Sequence, residues 1–158
     1  MGFAKRTERP AQTDATAPVA LGPLEDSVGY LVRRAQITVF QRFFEMFATA
    51  GVRPAQYSVL TVIEHNPGLN QTELADALGI KKTNLVAMID ELERRGLARR
   101  APTERDRRSY ALFLTVKGNA LMARLHRLDA VLNRRLVQSL DGNDRRQFCE
   151  GLRRIAAM

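Results

Sequence analysis

The sequence predicts a mainly α-helical fold with about six helices and one small β-hairpin. Three observations predict it. Apolar residues recur at helical spacing through most of residues 24–157. A short helical segment, a turn containing glycine and a second helical segment follow one another within residues 70–96. Two strand-like segments then flank a basic turn at residues 102–108. A chain of 158 residues is long enough to bury a core.

The charge favours a polyanionic partner. The formal net charge is +8, and 21 of the 25 basic residues are arginine, whose planar fork suits phosphate. A single cysteine excludes an intramolecular disulfide framework and fits a reducing cytosol. No apolar run approaches the roughly 20 residues of a membrane span. We therefore expect a soluble, cytoplasmic protein with no membrane partner.

The first fifty residues divide into a tail and a helix. Residues 1–23 hold three of the six prolines and no apolar period, which predicts a disordered N-terminal tail. From Leu24 a helix begins that ends at Gly51. Its apolar residues form two rows, which are Leu24, Val28, Leu31, Ala35 and Val39, and Val32, Phe40, Phe43 and Phe47. Such a helix must be covered on two sides, so we expect one side to meet a second subunit.

Two shorter helices follow. Pro54 suits the first turn of one helix, and Pro67-Gly68 stops it. Asn70 followed by Glu73 has the spacing of a capping box, which predicts the start of a short helix that closes at Gly79.

The next helix, over residues 81–96, completes a helix-turn-helix. Its core stripe comprises Leu85, Met88, Ile89 and Leu92, and the opposite face carries Thr83, Ala87, Asp90 and Arg94, with Val86 on the flank. The N-terminal turn, which would meet base edges and phosphates in a major groove, holds Lys81, Lys82, Thr83 and Asn84. Asn84 can pair with adenine and Lys82 can reach guanine. Val86 and Ala87 either contact thymine methyl groups or are only lightly exposed.

A hairpin with a basic tip follows that helix. Its strands cover residues 97–101 and 109–115, and residues 94–108 contain seven arginines and two acids. Like charge at this density repels itself, which indicates an anion-binding segment. The projecting tip carries Arg105, Arg107 and Arg108, and a narrow minor groove attracts such side chains. We expect Asp106 to orient Arg108 through a charge-assisted pair.

The C-terminal part is helical again. Residues 117–140 predict a long helix with rows of leucine, and Asp141-Gly142-Asn143 are expected to break it. Residues 144–157 then form an amphipathic helix with Phe148, Leu152 and Ile155 inward.

These elements predict a dimeric winged helix-turn-helix. We expect residues 51–115 to form the DNA-binding lobe and residues 24–50 and 116–158 to form a helical dimerisation region, in which the doubly apolar first helix and the leucine-lined long helix supply the dimer surface. Because one recognition helix makes too few contacts for specificity, we expect a homodimer that reads two half-sites in double-stranded DNA.

The chain resembles the MarR family of winged-helix transcription regulators over roughly residues 24–158. The resemblance is carried by "LNQTELADALGIKKTNLVAMIDELERRGLARR", the wing "DRRSYALFLT" and the following "VKG". It implies a homodimer assembled through the first helix and the last two, with the wing in the minor groove. It also implies roles by position for Lys82, Thr83, Asn84 and Ala87 in recognition and for Asp106 and Arg108 in the wing. The chain departs from the family at Lys81, often a Ser or Thr cap, and at Val86-Ala87, often polar.

The resemblance further implies a small aromatic or phenolic anion as effector, whose binding releases DNA. Aromatic rings beside arginine suit an aromatic carboxylate or its coenzyme A thioester. The candidate residues are Tyr30, Arg33, Arg34, Phe40, Phe43, Phe44 and Tyr57. The other interpretation is that the phenylalanines are core and the arginines surface. Release of DNA requires only that the ligand bind more tightly to a dimer whose two recognition helices are wrongly spaced for the DNA groove.

Other function classes find less support. His65 and His126 lie far apart, and the sequence has no Gly-rich phosphate loop, nucleophile elbow or HExxH, so we predict no catalytic residue. Two histidines and one cysteine do not make a soft metal site, so we expect no metal or cofactor. Cys149 is either a redox switch or a small buried hydrophobe. A winged helix could also bind a protein through Val86 and Ala87, and the salt dependence of DNA binding would separate the two.

Overall fold

The computed structural model describes residues 19–102 and 110–158, and it divides the chain into two compact units, Met1–Ala35 and Gln36–Met158. In the first unit a 3₁₀ turn at Gly22–Leu24 precedes helix α1. Helix α1 therefore begins at Val28 rather than at the predicted Leu24, because Leu24 belongs to that separate turn.

The described residues form six helices and two strands. Their bounds are α1 Val28–Phe47, α2 Pro54–His65, α3 Gln71–Leu78, α4 Lys82–Arg94, β1 Ala98–Pro102, β2 Tyr110–Leu114, α5 Val116–Leu136 and α6 Gly142–Ala156. Helix α1 ends at Phe47 rather than at the predicted Gly51, because a 3₁₀ turn intervenes, and Gly51, at φ +60°, ends that turn. Pro54 opens α2 as predicted. In the described part of the chain no helix is long and apolar enough to cross a membrane.

The predicted capping box at the start of α3 is confirmed. Asn70 Oδ1 accepts hydrogen bonds from the backbone N–H groups of Thr72 at 2.8 Å and Glu73 at 3.0 Å. In return, the Asn70 backbone N–H donates to Glu73 Oε2 at 2.8 Å. Three backbone N–H groups at the helix start are thereby satisfied by side chains.

The hairpin is antiparallel, with Ala98 opposite Leu114 and Pro102 opposite Tyr110. A third segment, which the sequence did not predict, runs along the free edge of β2. The Gly68 N–H donates to the Leu112 carbonyl at 2.8 Å, and the Leu112 N–H donates to the Leu69 carbonyl at 2.9 Å. The hairpin is therefore held to the segment that leads into α3.

The core is built from the end of α1, α2 to α5 and the hairpin. Of the predicted stripe of α4, Leu85, Ile89 and Leu92 lie within the core, and Met88 is partly buried against it. Side chains less than 2 % exposed include Leu60, Ile63, Leu74, Leu85, Ile89, Leu92, Leu112, Met122 and Leu125. Helix α1 buries only Phe43 and Phe47, whereas its Phe40 and Phe44 are exposed. One apolar side of α1 thus remains on the surface of this chain.

The bounds of the last two helices differ from the prediction. Helix α5 ends at Leu136, not at residue 140, because Val137 leaves helical geometry at φ −115°. Helix α6 begins earlier than predicted, since Asp141 acts as its N-cap. Asp141 Oδ1 accepts from the backbone N–H groups of Asn143 and Asp144, both at 2.8 Å.

The prediction that α6 turns its apolar face inward is wrong for this chain taken alone. Phe148, Leu152 and Ile155 are 47 %, 40 % and 46 % exposed, and none of the described residues of α6 is buried. Cys149 is partly buried rather than fully so. The helical period correctly identified one apolar face, but nothing within residues 19–102 and 110–158 covers it.

Helix α5 starts in close contact with the turn between α4 and β1. Thr115 Oγ1 donates to the Gly96 carbonyl at 2.6 Å and accepts from the Gly118 N–H at 3.0 Å. A Cβ at position 118 would clash with the Leu97 carbonyl oxygen, because it would lie far inside the distance that non-bonded carbon and oxygen atoms keep. The glycine of the "VKG" stretch is therefore required by this approach, which ties the end of α4 to α5.

Candidate nucleic-acid interface

The N-terminal turn of α4 is a basic surface at the positive end of a helix. Lys81, Lys82, Thr83 and Asn84 are all exposed, whereas the next residue, Leu85, is 1 % exposed. Lys81 is the N-cap, and its side chain has no acceptor for the first N–H groups of the helix. This turn therefore presents backbone N–H groups and two ammonium groups to an anion.

The face of α4 opposite the core is exposed as predicted, but not all of it is available for an outside ligand. Val86 is 43 % exposed and Ala87 is exposed, so both can contact a base edge. Arg94 is exposed and forms an ion pair with Glu91. Asp90 accepts from Arg100 on β1, a contact that the sequence did not reveal.

Strand β1 of the wing follows the end of α4, and the residues between β1 and β2 are outside the described part of the chain. The predictions for Arg105, Asp106, Arg107 and Arg108 therefore stay predictions. At the base of the wing, the Arg99 guanidinium lies 4.6 Å from the centre of the Phe113 ring, on the outer face of the hairpin.

An aromatic cluster joins α1 to α2 within the second unit. The rings of Phe43 and Phe47 are stacked 3.8 Å apart, and Tyr57 lies 6.0 Å and 5.6 Å from them. Phe44 meets Phe43 edge-on at 6.3 Å. Beside the cluster is a cavity of about 370 Å³ whose walls include Phe44, Phe47 and Arg53.

The structure brings together only part of the predicted effector set. Phe43, Phe44 and Tyr57 share this cluster, while Phe40 is 42 % exposed. The remaining candidates, Tyr30, Arg33 and Arg34, belong to the first unit. Their common role in one site therefore stays a prediction.

A polar group that sequence reasoning missed borders the aromatic cluster. The Tyr57 hydroxyl lies 3.4 Å from His126 Nδ1, and His126 Nε2 donates to Glu64 Oε2 at 2.6 Å. The ring of His65 is 6.4 Å from that of His126, although the two residues lie far apart in the sequence. Only the packing of α5 on α2 reveals this, since the residues are some sixty positions apart in the sequence.

The phenol of Tyr57 stays protonated at neutral pH. Burial raises its pKa from 10.0 to about 12, and the negative charges of Asp129 and Glu64 act in the same direction. The cluster thus offers a hydrogen-bonding hydroxyl at the edge of an apolar surface. In the described part of the chain no three His, Cys, Asp or Glu side chains are arranged to hold a metal ion.

Known proteins are similar to this chain in sequence and in fold. The model of the MarR family matches residues 50–109. A transcriptional regulatory protein for the hcr operon of Thauera aromatica is 36 % identical over 122 residues, which cover 77 % of this chain and 73 % of that protein. The transcriptional repressor CouR bound to a 23-mer DNA duplex is 42 % identical, with a TM-score of 0.85 over 89 % of this chain and 99 % of CouR. CouR bound to p-coumaroyl-CoA is 40 % identical, with a TM-score of 0.81 over 88 % and 98 % of the two chains.

The fold and the comparisons point to the same family. The structure has the helix-turn-helix and the hairpin wing, and the sequence identities extend over more than two thirds of each chain. This chain belongs to the MarR family of DNA-binding transcriptional regulators.

Proposed function

We propose that this protein is a homodimeric repressor that binds a pseudo-palindromic operator and releases it when it binds an aromatic acid or its coenzyme A thioester. The observation that carries the proposal is the likeness to CouR, a repressor whose structures contain DNA in one case and p-coumaroyl-CoA in the other.

The exposed start of α4 supports the DNA-binding half of the proposal. Lys82 can contact a phosphate or guanine, and Asn84 can pair with adenine, because both side chains are exposed at the end of the helix that enters a major groove. Val86 and Ala87 supply apolar surface for thymine methyl groups. The basic wing, with Arg105, Arg107 and Arg108 at its tip, is proposed to enter the adjacent minor groove.

The exposed apolar face of α6 supports a homodimer. Phe148, Leu152 and Ile155 form a patch that a monomer would leave in water at a cost in free energy. A second copy that covers this patch and the open side of α1 would place two recognition helices on one face. Half-sites about 34–36 Å apart then follow from the helical repeat of DNA.

The aromatic cluster supports an aromatic effector. Phe43, Phe44 and Tyr57 provide ring faces, and the protonated Tyr57 hydroxyl can bond a carbonyl or phenol oxygen. Tyr30, Arg33, Arg34 and Phe40 stay candidates for the same ligand.

Fluorescence anisotropy with a labelled duplex from the region upstream of the gene tests the proposal. We expect tight binding whose logarithm falls steeply and linearly with the logarithm of the salt concentration, because phosphate contacts release counterions. Adding p-coumaroyl-CoA should release the DNA, with p-coumarate tested in parallel and coenzyme A alone as the control. If the dimer is intact but prefers no sequence at any salt concentration, a winged helix that binds a protein is the better explanation.

A Cys149→Ser variant tests the redox alternative. We expect it to bind and release DNA as the wild type does, with and without hydrogen peroxide, since the thiol is partly buried. Peroxide-driven release that this substitution abolishes would favour the redox alternative.

A further inference from the structure

Arg100 occupies a strand position where an apolar residue is expected. Strand residues alternate between two faces, so Arg100 lies on the face of Ala98, which is 3 % exposed. Its cross-strand neighbour is Leu112, which is 0 % exposed. The side chain of Arg100 is only 18 % exposed, whereas Arg99 points to the outer face.

The guanidinium is held by two acids on the recognition helix α4. Arg100 Nη1 donates to Asp90 Oδ1 at 2.7 Å and to Glu93 Oε2 at 2.5 Å. The backbone N–H of Arg100 donates to the other oxygen of Glu93, at 2.6 Å. Glu93 therefore binds β1, the first strand of the wing, through both the backbone N–H and the guanidinium of Arg100.

This arrangement is poorly suited to add stability. Taking an ion pair out of water costs free energy that the attraction repays only when every donor is satisfied. Arg100 Nε is buried and has no hydrogen-bond partner among the described residues. Because these ion pairs add little stability, we explain them by the orientation that they impose on β1 relative to α4.

That geometry links the two parts of the DNA-binding surface. Asp90 and Glu93 lie on α4, and Arg100 lies on the strand that leads to the basic tip of the wing. The contacts fix the angle between helix and strand, and the guanidinium also offsets one of the two negative charges beside a surface that must approach phosphates.

We propose that Arg100, gripped by Glu93 and Asp90, is a positioning residue for operator binding, which sets the wing relative to the recognition helix and contacts no phosphate itself. The inference rests on the operator binding proposed above, and it assigns Arg100 a role different from that of the arginines at the wing tip.

A matched pair of charge-removing variants tests it. Glu93→Gln and Glu91→Gln each remove one negative charge from α4, and simple electrostatics predicts that both bind DNA more tightly. The inference predicts the opposite for Glu93→Gln. The backbone N–H and the guanidinium of Arg100 donate to different oxygens of Glu93, and the amide replaces one of these oxygens by an NH2 group, which cannot accept. Glu91 pairs only with the exposed Arg94 among the described ion pairs, so Glu91→Gln serves as the control.

We expect Glu93→Gln to lose about tenfold in affinity for the operator, with little change for random DNA and an unchanged salt slope. Glu91→Gln should bind at least as tightly as the wild type. Arg100→Met should show a similar loss, and Arg100→Met combined with Glu93→Gln should add little to it, since the two residues act as one unit. Arg99→Met removes the same charge from the outer face and should lose less than about threefold.

The outcomes separate the inference from the proposed function. If the wild type prefers no operator, both fail. If the wild type binds but Glu93→Gln and Glu91→Gln behave alike, the positioning role fails and operator binding stands. A salt slope that falls by about one unit in Arg100→Met would show a direct phosphate contact and overturn the inference. If Arg100→Met does not fold, judged by its circular dichroism, the Glu93→Gln and Glu91→Gln pair decides alone.

Discussion

The recognition helix α4 and the last helix α6 are both amphipathic, yet their apolar faces have different environments. In α4 the stripe of Leu85, Ile89 and Leu92 is at most 1 % exposed. In α6 the corresponding face of Phe148, Leu152 and Ile155 is 40–47 % exposed. The same sequence pattern therefore finds its cover inside the chain in one case and not in the other.

The helix starts differ in a complementary way. Asp141 caps α6 with two hydrogen bonds to backbone N–H groups, whereas α4 starts at Lys81, which cannot accept them. A helix whose N-terminus carries uncapped N–H groups and lysines is poorly capped by its own chain but well suited to bind an anion. We propose that the open end of α4 meets DNA and that the open face of α6 meets a second subunit.

The largest expected effect comes from truncating each apolar face. Ile89→Ala should lower the free energy of unfolding by about 2–5 kcal/mol, because Ile89 is fully buried. Ile155→Ala, with 46 % of its side chain exposed, should leave folding within about 0.5 kcal/mol but weaken dimerisation. Urea unfolding and sedimentation equilibrium on both variants provide the measurements. Equal losses in unfolding, with an unchanged dimer dissociation constant, would contradict the comparison.

The junction between α4 and α5 should be nearly as sensitive. Gly118→Ala should cost about 1–3 kcal/mol or more, because a methyl group there meets the Leu97 carbonyl. The control is Gly142→Ala at the exposed first position of α6, where a Cβ has no atom within 4 Å among the described residues. That substitution should raise stability by up to about 1 kcal/mol through helix propensity. Thermal unfolding that ranks the two variants in the reverse order would refute the close approach.

A smaller effect should separate stability from function at the start of α4. Lys81→Ser supplies the missing cap and should raise stability by about 0.5–1 kcal/mol. It should also weaken DNA binding and reduce the salt slope by about one unit, since a phosphate contact is lost. Lys82→Ser removes the same charge without supplying a cap and is the control. Tighter DNA binding by Lys81→Ser would show that the open helix end has no role in DNA binding.

The smallest effect is expected at Tyr57. Because its pKa is raised to about 12 in the folded state, the protonated phenol contributes stability that is fully present below pH 10. This contribution should be lost as the pH rises from 10 to 12, where the unfolded chain already releases the proton. The difference in unfolding free energy between wild type and Tyr57→Phe, followed over that range, should therefore shrink. A difference that is constant with pH would place the phenol in water.

The parts of this fold that sequence could predict are those whose signal is local. Each such signal comes from residues that are close together in the sequence. Examples are the capping box of Asn70 and Glu73, the stripe of α4 and the two strands of the hairpin. Asp141 shows the limit of such signals, because an Asp-Gly-Asn stretch is typical both of a break and of a cap.

The contacts that sequence could not predict join distant segments. Nothing local distinguishes Arg100, which is gripped by α4, from Arg99, which lies on the outer face. His126 and Glu64 meet only because α5 packs against α2. The period of α6 indicated a face that needs cover, but a period carries no information on which chain supplies the cover.

The most direct test of the central claim, that the start of α4 reads the operator, compares Asn84→Ala with Lys82→Ala in anisotropy titrations across a salt series. Asn84→Ala should lose about 1–3 kcal/mol of operator binding and much of the preference over random DNA, with an unchanged salt slope. Lys82→Ala should weaken binding to both DNAs and lower the slope by about one unit if it contacts a phosphate. If Asn84→Ala binds operator and random DNA as the wild type does, the start of α4 does not read bases.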